Sequence, residues 1–151
     1  MSKIPKPHLL VLTFSALFAM SCIICPPANA SSQPDVDLTG TYWKLDELNG
    51  QPATLGAGKK ELHMILSSDG NKVSGFSGCN RFMGGYSQDN KHIQFGPLAG
   101  TMMACMEAME QEYTFLRTLE SSKRFSISGE ELTLYGADDQ LILRFESVSL
   151  K

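Results

Sequence analysis

The sequence predicts an α+β fold: a single compact domain with a curved antiparallel sheet of about seven short strands and one main helix packed on it. Three observations lead there. Short segments recur with apolar residues at every second position, separated by turn signals. One segment, "ACMEAMEQEYTFLRTL" (Ala104–Leu119), breaks that period, with no Gly or Pro and little β-branching. The residues before Gly40 differ in kind from the rest, which places the domain at 39–148.

Taken in order, "TYWKLDEL" follows Gly40 and stops at Asn49-Gly50. "ELHMIL" sets Leu62, Met64 and Leu66 on one face and ends at "SSDGN", where Asp-Gly tolerates the positive φ of a tight hairpin. "KVSGFSG" returns, and "HIQFGP" and "RFSIS" are similar. Ser128-Gly129 turns into "ELTLYG", and "LILRFES" alternates Leu141, Leu143 and Phe145 with outward Arg144 and Glu146. Between these lies "FSGCNRFMGGY", whose Gly78, Gly84 and Gly85, with Gly75 before it, predict a tight, bent corner at Cys79-Asn80-Arg81. Phe82 and Tyr86 anchor its return. In the helical segment, Met109, Leu116 and Leu119, with Tyr113 or Phe115, form the apolar stripe, and Thr101 is the candidate N-cap.

The first thirty residues read as a secretory signal peptide: Lys3 and Lys6, an uncharged apolar run of 16 residues (Leu9–Ile24), then Ala28-Asn29-Ala30. The run falls a little short of the ~20 residues that span a bilayer. Residues 31–38, polar and Pro-containing, read as a linker. Cys22 after Ala19-Met20-Ser21 is an alternative lipoprotein site, the one route by which the protein would sit on a membrane. Cleavage after Ala30 leaves just Cys79 and Cys105, whereas processing at Cys22 leaves Cys25 unpaired, which favours soluble export to the periplasm or outside. The chain has 13 Lys+Arg and 16 Asp+Glu. Losing Lys3 and Lys6 leaves 11 against 16, a net charge of −5, which argues against nucleic acid.

Cys79 has several readings. Catalysis needs a base, and His63 and His92 have no evident acidic orienting partner, so no catalytic residue is assigned and no enzyme is expected. Zinc lacks a ligand pair. Copper(I) would use Met102, Cys105, Met106 and Met109, since thioether and thiolate suit it, but Met is equally flexible core filler. A Cys79–Cys105 disulfide would suit an exported domain and contribute about 3 kcal/mol. Two buried thiols remain the other option. Arg81 has Glu112 as a candidate partner on the helix.

The blocks "SGFSGCNRFMGGY", "IQFGPLAGTMMACMEAMEQEYTFLRTL" and "ELTLYGADDQLILRF" resemble the META domain, also called the HslJ-type domain, of bacterial envelope proteins. The first motif falls on Gly78, Cys79, Asn80, Phe82, Gly84 or Gly85, and Tyr86. The second falls on Thr101, Cys105, Met109, Glu112, Phe115 and Leu116. The resemblance covers Gly40 to Phe145 and implies a small exported or lipid-anchored α+β unit linked to heat induction and novobiocin tolerance, with no established reaction or cofactor.

The expected function is therefore a non-catalytic envelope domain, without cofactor, that binds or stabilises an unidentified envelope protein or component. Cys79, Asn80, Arg81 and Glu112 are its interaction residues. A periplasmic copper-binding or redox-responsive protein is the first alternative. A small secreted hydrolase inhibitor is the second.

Overall fold

A computed structural model describes residues 34–149; the expected signal peptide over residues 1–30 and Cys22 lie outside the described residues. In chain order the strands are β1 (Tyr42–Leu48), β2 (Gln51–Pro52), β3 (His63–Ser67), β4 (Lys72–Phe76), β5 (Arg81–Asp89), β6 (His92–Phe95), β7 (Ala99–Gly100), β8 (Arg124–Ser128), β9 (Glu131–Tyr135) and β10 (Leu141–Val148). A helix, α1 (Met109–Ser121), lies between β7 and β8. Eight strands pair antiparallel as a meander, and β10 returns to β1 to close a barrel. The short β2 adds to β1, and β7 adds to β5.

This corrects the expected curved sheet of about seven strands in an α+β domain. The described residues are mostly β, a closed eight-stranded barrel with two short extra strands, one α-helix and a short 3-10 turn at Ala57–Lys59. Two physical facts account for the difference. The eighth barrel strand is β5, which continues unbroken through Gly84 and Gly85. Gly84 does not interrupt the strand; a Cβ there would collide with the Leu98 side chain, so glycine allows close packing. Only the four residues Ser77–Asn80 between β4 and β5 form the expected corner. Closure, in turn, is a pairing of first strand with last, which no local pattern announces. On the outer face of that seam Lys44 pairs with Glu146 at 2.8 Å, and Arg144 pairs with Glu47.

Alternation along the strands fills the barrel. Trp43, Met64, Leu66, Phe82, Leu134 and Phe145 all point inward and are fully or almost fully buried. An eight-stranded barrel is just wide enough for such side chains to fill it. The Trp43 indole N–H donates to Leu38 O at 2.9 Å, satisfying the one polar atom it brings inside. Val36 and Leu38, in the stretch read as linker, pack on this core, and Val36 N–H donates to Gly129 O.

The helix covers one end of the barrel. Phe115 and Leu119, one turn apart, are completely buried, and the Phe115 ring stands edge-on to Phe82 and Phe145 at 5.8 and 6.2 Å. Around that plug, α1 bonds the loops at the same end: Thr118 accepts from Asn49, Gln111 from Thr54, and Glu120 from the Leu98 amide. The expected stripe is partly corrected. Met109 and Tyr113 face solvent, and the helix starts at Met109, later than expected. Thr101 is no N-cap; its hydroxyl donates instead to Asn80 Oδ1 at 2.7 Å. Tertiary bonds thus hold the residues before the helix in a non-helical course despite their propensity.

Candidate functional site

The corner Ser77–Asn80 forms because Gly78 takes a φ of 122°, open to glycine and costly for other residues. Its polar groups converge on one carboxylate. Glu112 Oε2 accepts from the Asn80 amide at 2.7 Å and the Cys79 amide at 3.1 Å, and Oε1 accepts from Asn80 Nδ2 at 2.8 Å. Ser77 Oγ lies 2.7 Å from Glu112 and 2.8 Å from Asn80 O, and gives its single proton to one of them. Burial alone would raise the Glu112 carboxyl. The bonds from Ser77, Asn80 and the Cys79 amide outweigh it and hold the group below its ordinary value.

Asn80, only 4% exposed, is fully engaged. Its Oδ1 accepts from Thr101 Oγ1 and from the Met103 amide, and its Nδ2 also donates to Met103 O. Cys79 is bonded to Cys105, with Cα atoms 5.7 Å apart. These contacts tie the segment 101–105 to the corner. On the other side, Ala57 N–H donates to Gly78 O at 2.6 Å, and a Cβ on Gly56 would overlap the Gly78 backbone. The loop carrying Lys59 and Lys60 is thereby seated directly on the same corner.

Between these two raised rims lies a cleft of about 690 Å³ on the outer face of β1, β3, β4 and β5. Its floor is a row running across the strands. The alternation that takes Trp43, Met64 and Phe82 inward turns Tyr42, His63, Phe76 and Arg81 outward. Cross-strand register sets His63 opposite Phe76, and Phe76 opposite Arg81. Tyr42 and His63 stack at 4.3 Å with 22° between their planes, and His63 and Phe76 follow at 6.4 Å and 27°. Lys60 Nζ stands 6.0 Å over the Phe76 ring. Burial pushes the His63 imidazole down toward its neutral form. Burial and the hydrogen bond to Glu61 push the Tyr42 hydroxyl up to about 12.

The residues singled out in sequence therefore separate. Cys79, Asn80 and Glu112 come together as an internal latch. Arg81 does not join them: among the described residues it forms no ion pair, and its exposed side chain lines the cleft. The proposed Arg81–Glu112 pair is thus replaced by neutral donors to Glu112, because strand alternation turns Arg81 outward as the chain leaves the corner. Of the copper set, Cys105 in its bridge offers no thiolate, while Met102 and Met106 are 99% and 96% exposed and Met109 is half exposed. Core filling does not describe these methionines either. Sequence reasoning missed Tyr42, Lys60, His63 and Phe76. For Tyr42, His63 and Phe76 the signal was present, since strand alternation marks outward residues, but the register joining them in a row was not; Lys60 lies in a loop that carries no such pattern.

A comparison with protein families matches residues 36–149 to the META domain. No curated protein matches the chain. An NMR structure of a protein from Burkholderia xenovorans is similar, with a TM-score of 0.61 and 25% identity over 83% of this chain and 100% of that one. A second NMR structure has a TM-score of 0.57 and 25% identity over 74% of this chain and 94% of that one. No helix among the described residues is long and apolar enough to cross a membrane. The motif blocks thus sit within a match that spans nearly every described residue, and the chain belongs to the META domain family, of HslJ type.

Proposed function

We propose that this protein is a non-catalytic binding domain of the bacterial cell envelope. It supports stress tolerance, including tolerance of novobiocin-type antibiotics, by binding or stabilising an envelope component through the outer-face cleft. Export after a signal peptide over residues 1–30 belongs to the same reading, with lipid attachment at Cys22 as the alternative. Family membership supports the envelope setting. The observation that carries the binding role is the cleft itself: an aromatic row with Arg81 at its end, held between two rims that one saturated corner positions.

The test is complementation of a strain lacking the protein. Wild type should restore survival at elevated temperature or in novobiocin, and a Phe76→Ala/Arg81→Ala double variant should not, although it melts near the wild-type temperature. Full rescue by the double variant would remove the cleft from the function. Intact mass of the exported protein, with and without reductant, reports processing site and lipid together.

A further inference from the structure

The cleft differs electrostatically from the protein that carries it. The chain has a net charge of −3. Around the cleft stand Lys59, Lys60 and Arg81 against a single carboxylate, Glu61, which already accepts from the Tyr42 hydroxyl at 3.1 Å. Among the described residues, none of the three cations forms an ion pair. Cations left unpaired beside a concave apolar surface raise the local concentration of anions.

The charges are also ordered along the floor. Arg81 is the cross-strand neighbour of Phe76, and Lys60 stands over the same ring, so both converge on one end of the row. Glu61 sits at the other end, beside Tyr42. Between them the rings stack one on the next, 22° and 27° from parallel, so that their edges form a continuous, largely apolar ridge. Met83 and Met103, exposed on the cleft wall, add soft apolar surface that adapts to shape. A volume of about 690 Å³ suits a small molecule.

We propose that the cleft binds a small amphipathic organic anion, with its flat apolar body along Tyr42, His63 and Phe76 and its acidic group turned to Arg81 and Lys60. The inference rests on the binding role proposed above and specifies its ligand class. Charge complementarity fixes the orientation: Glu61 repels an acidic group from the Tyr42 end, and Arg81 offers a planar pair of donors at the other.

Two probes with the same ring system test it: anilinonaphthalene sulfonate, and phenylnaphthylamine, which lacks the sulfonate. Each is titrated into the nitrogen-labelled protein and followed by fluorescence and amide shifts. The sulfonate should shift Ser74, Phe76 and Arg81 amides saturably and bind about tenfold tighter than the neutral probe. Arg81→Gln should remove most of that tenfold difference, Lys60→Gln less, and added salt should weaken the sulfonate alone. An unshifted Trp43 amide separates binding at the cleft from dye uptake by a loosened core. Equal affinities, insensitive to Arg81→Gln and to salt, would overturn anion recognition while leaving an apolar binding cleft. No shift at the cleft with either probe also overturns it. The envelope role itself fails only in the survival assay.

Discussion

The corner Ser77–Asn80 and the cleft beside it meet at Arg81 but treat their polar groups in opposite ways. In the corner every donor named has an acceptor within the protein, and Asn80 alone makes four side-chain hydrogen bonds. In the cleft, three cations without ion-pair partners among the described residues stand around a stacked row of half-buried rings. A saturated site stabilises and positions. A site with unspent donors can bind something else. Of the residues singled out in sequence, Cys79, Asn80 and Glu112 are therefore the least free to interact, and unspent donors begin one residue further along, at Arg81.

Asn80→Ala should have the largest effect on stability. It deprives Met103, Thr101 and Glu112 of partners in a buried setting, and a loss of about 3 kcal/mol or more is expected from unmet groups. The shift of the urea midpoint measures it. A Cys79→Ser/Cys105→Ser variant should lose about 3 kcal/mol by the loop-entropy account. Because the bridge spans 26 residues and holds one rim, its loss should also weaken ligand binding in the molecules that remain folded.

Glu112→Gln should cost about 2 kcal/mol, since its one carbonyl oxygen accepts less strongly and its NH2 turns a donor toward a donor of the corner. The sign of the pH effect follows from its lowered pKa. Above the ordinary value of 4.5 the ionised carboxylate contributes its full stability, and this is lost as pH falls through the lower folded value. Wild type should therefore lose stability below pH 4.5 more steeply than Glu112→Gln, as read from melting temperature against pH. A flat difference between the two would show that the corner does not depend on the charge.

Cleft variants should show the reverse pattern. Phe76→Ala faces outward on β4 and should cost at most about 1 kcal/mol of stability, yet reduce probe binding about tenfold. A large drop in melting temperature with binding retained would erase the distinction between the two regions. Smallest of all, Met106→Ser, at a position almost wholly in solvent, should change stability by less than about 0.5 kcal/mol.

Much of the barrel is legible before folding. Seven of its eight strands announce themselves by alternation, and the hairpin at Asp69-Gly70 and the turn at Ser128-Gly129 fall where turn chemistry places them. The eighth, β5, hides because Gly84 and Gly85 read as breakers, whereas Gly84 serves the approach of Leu98. The helix is legible in type and misread in phase. Because Thr101, Met103 and Cys105 are committed to the corner, the helix starts only at Met109; its first turn gives Glu112 to the corner and its fully buried apolar residues begin at Phe115. Closure had one faint trace, the opposite charges Lys44 and Glu47 on β1 and Arg144 and Glu146 on β10.

By itself the amino-acid order determined which residues turn inward or outward on most strands, where the chain reverses, and the family to which it belongs, because those properties depend on near neighbours. Only the folded barrel decided that β10 closes on β1, that Asn80 and Glu112 face each other, and that Tyr42, His63, Phe76 and Arg81 share one surface. Each of these is a contact between residues far apart in the chain, set by register between strands and by loops docking on a corner. Local periodicity carries no record of either.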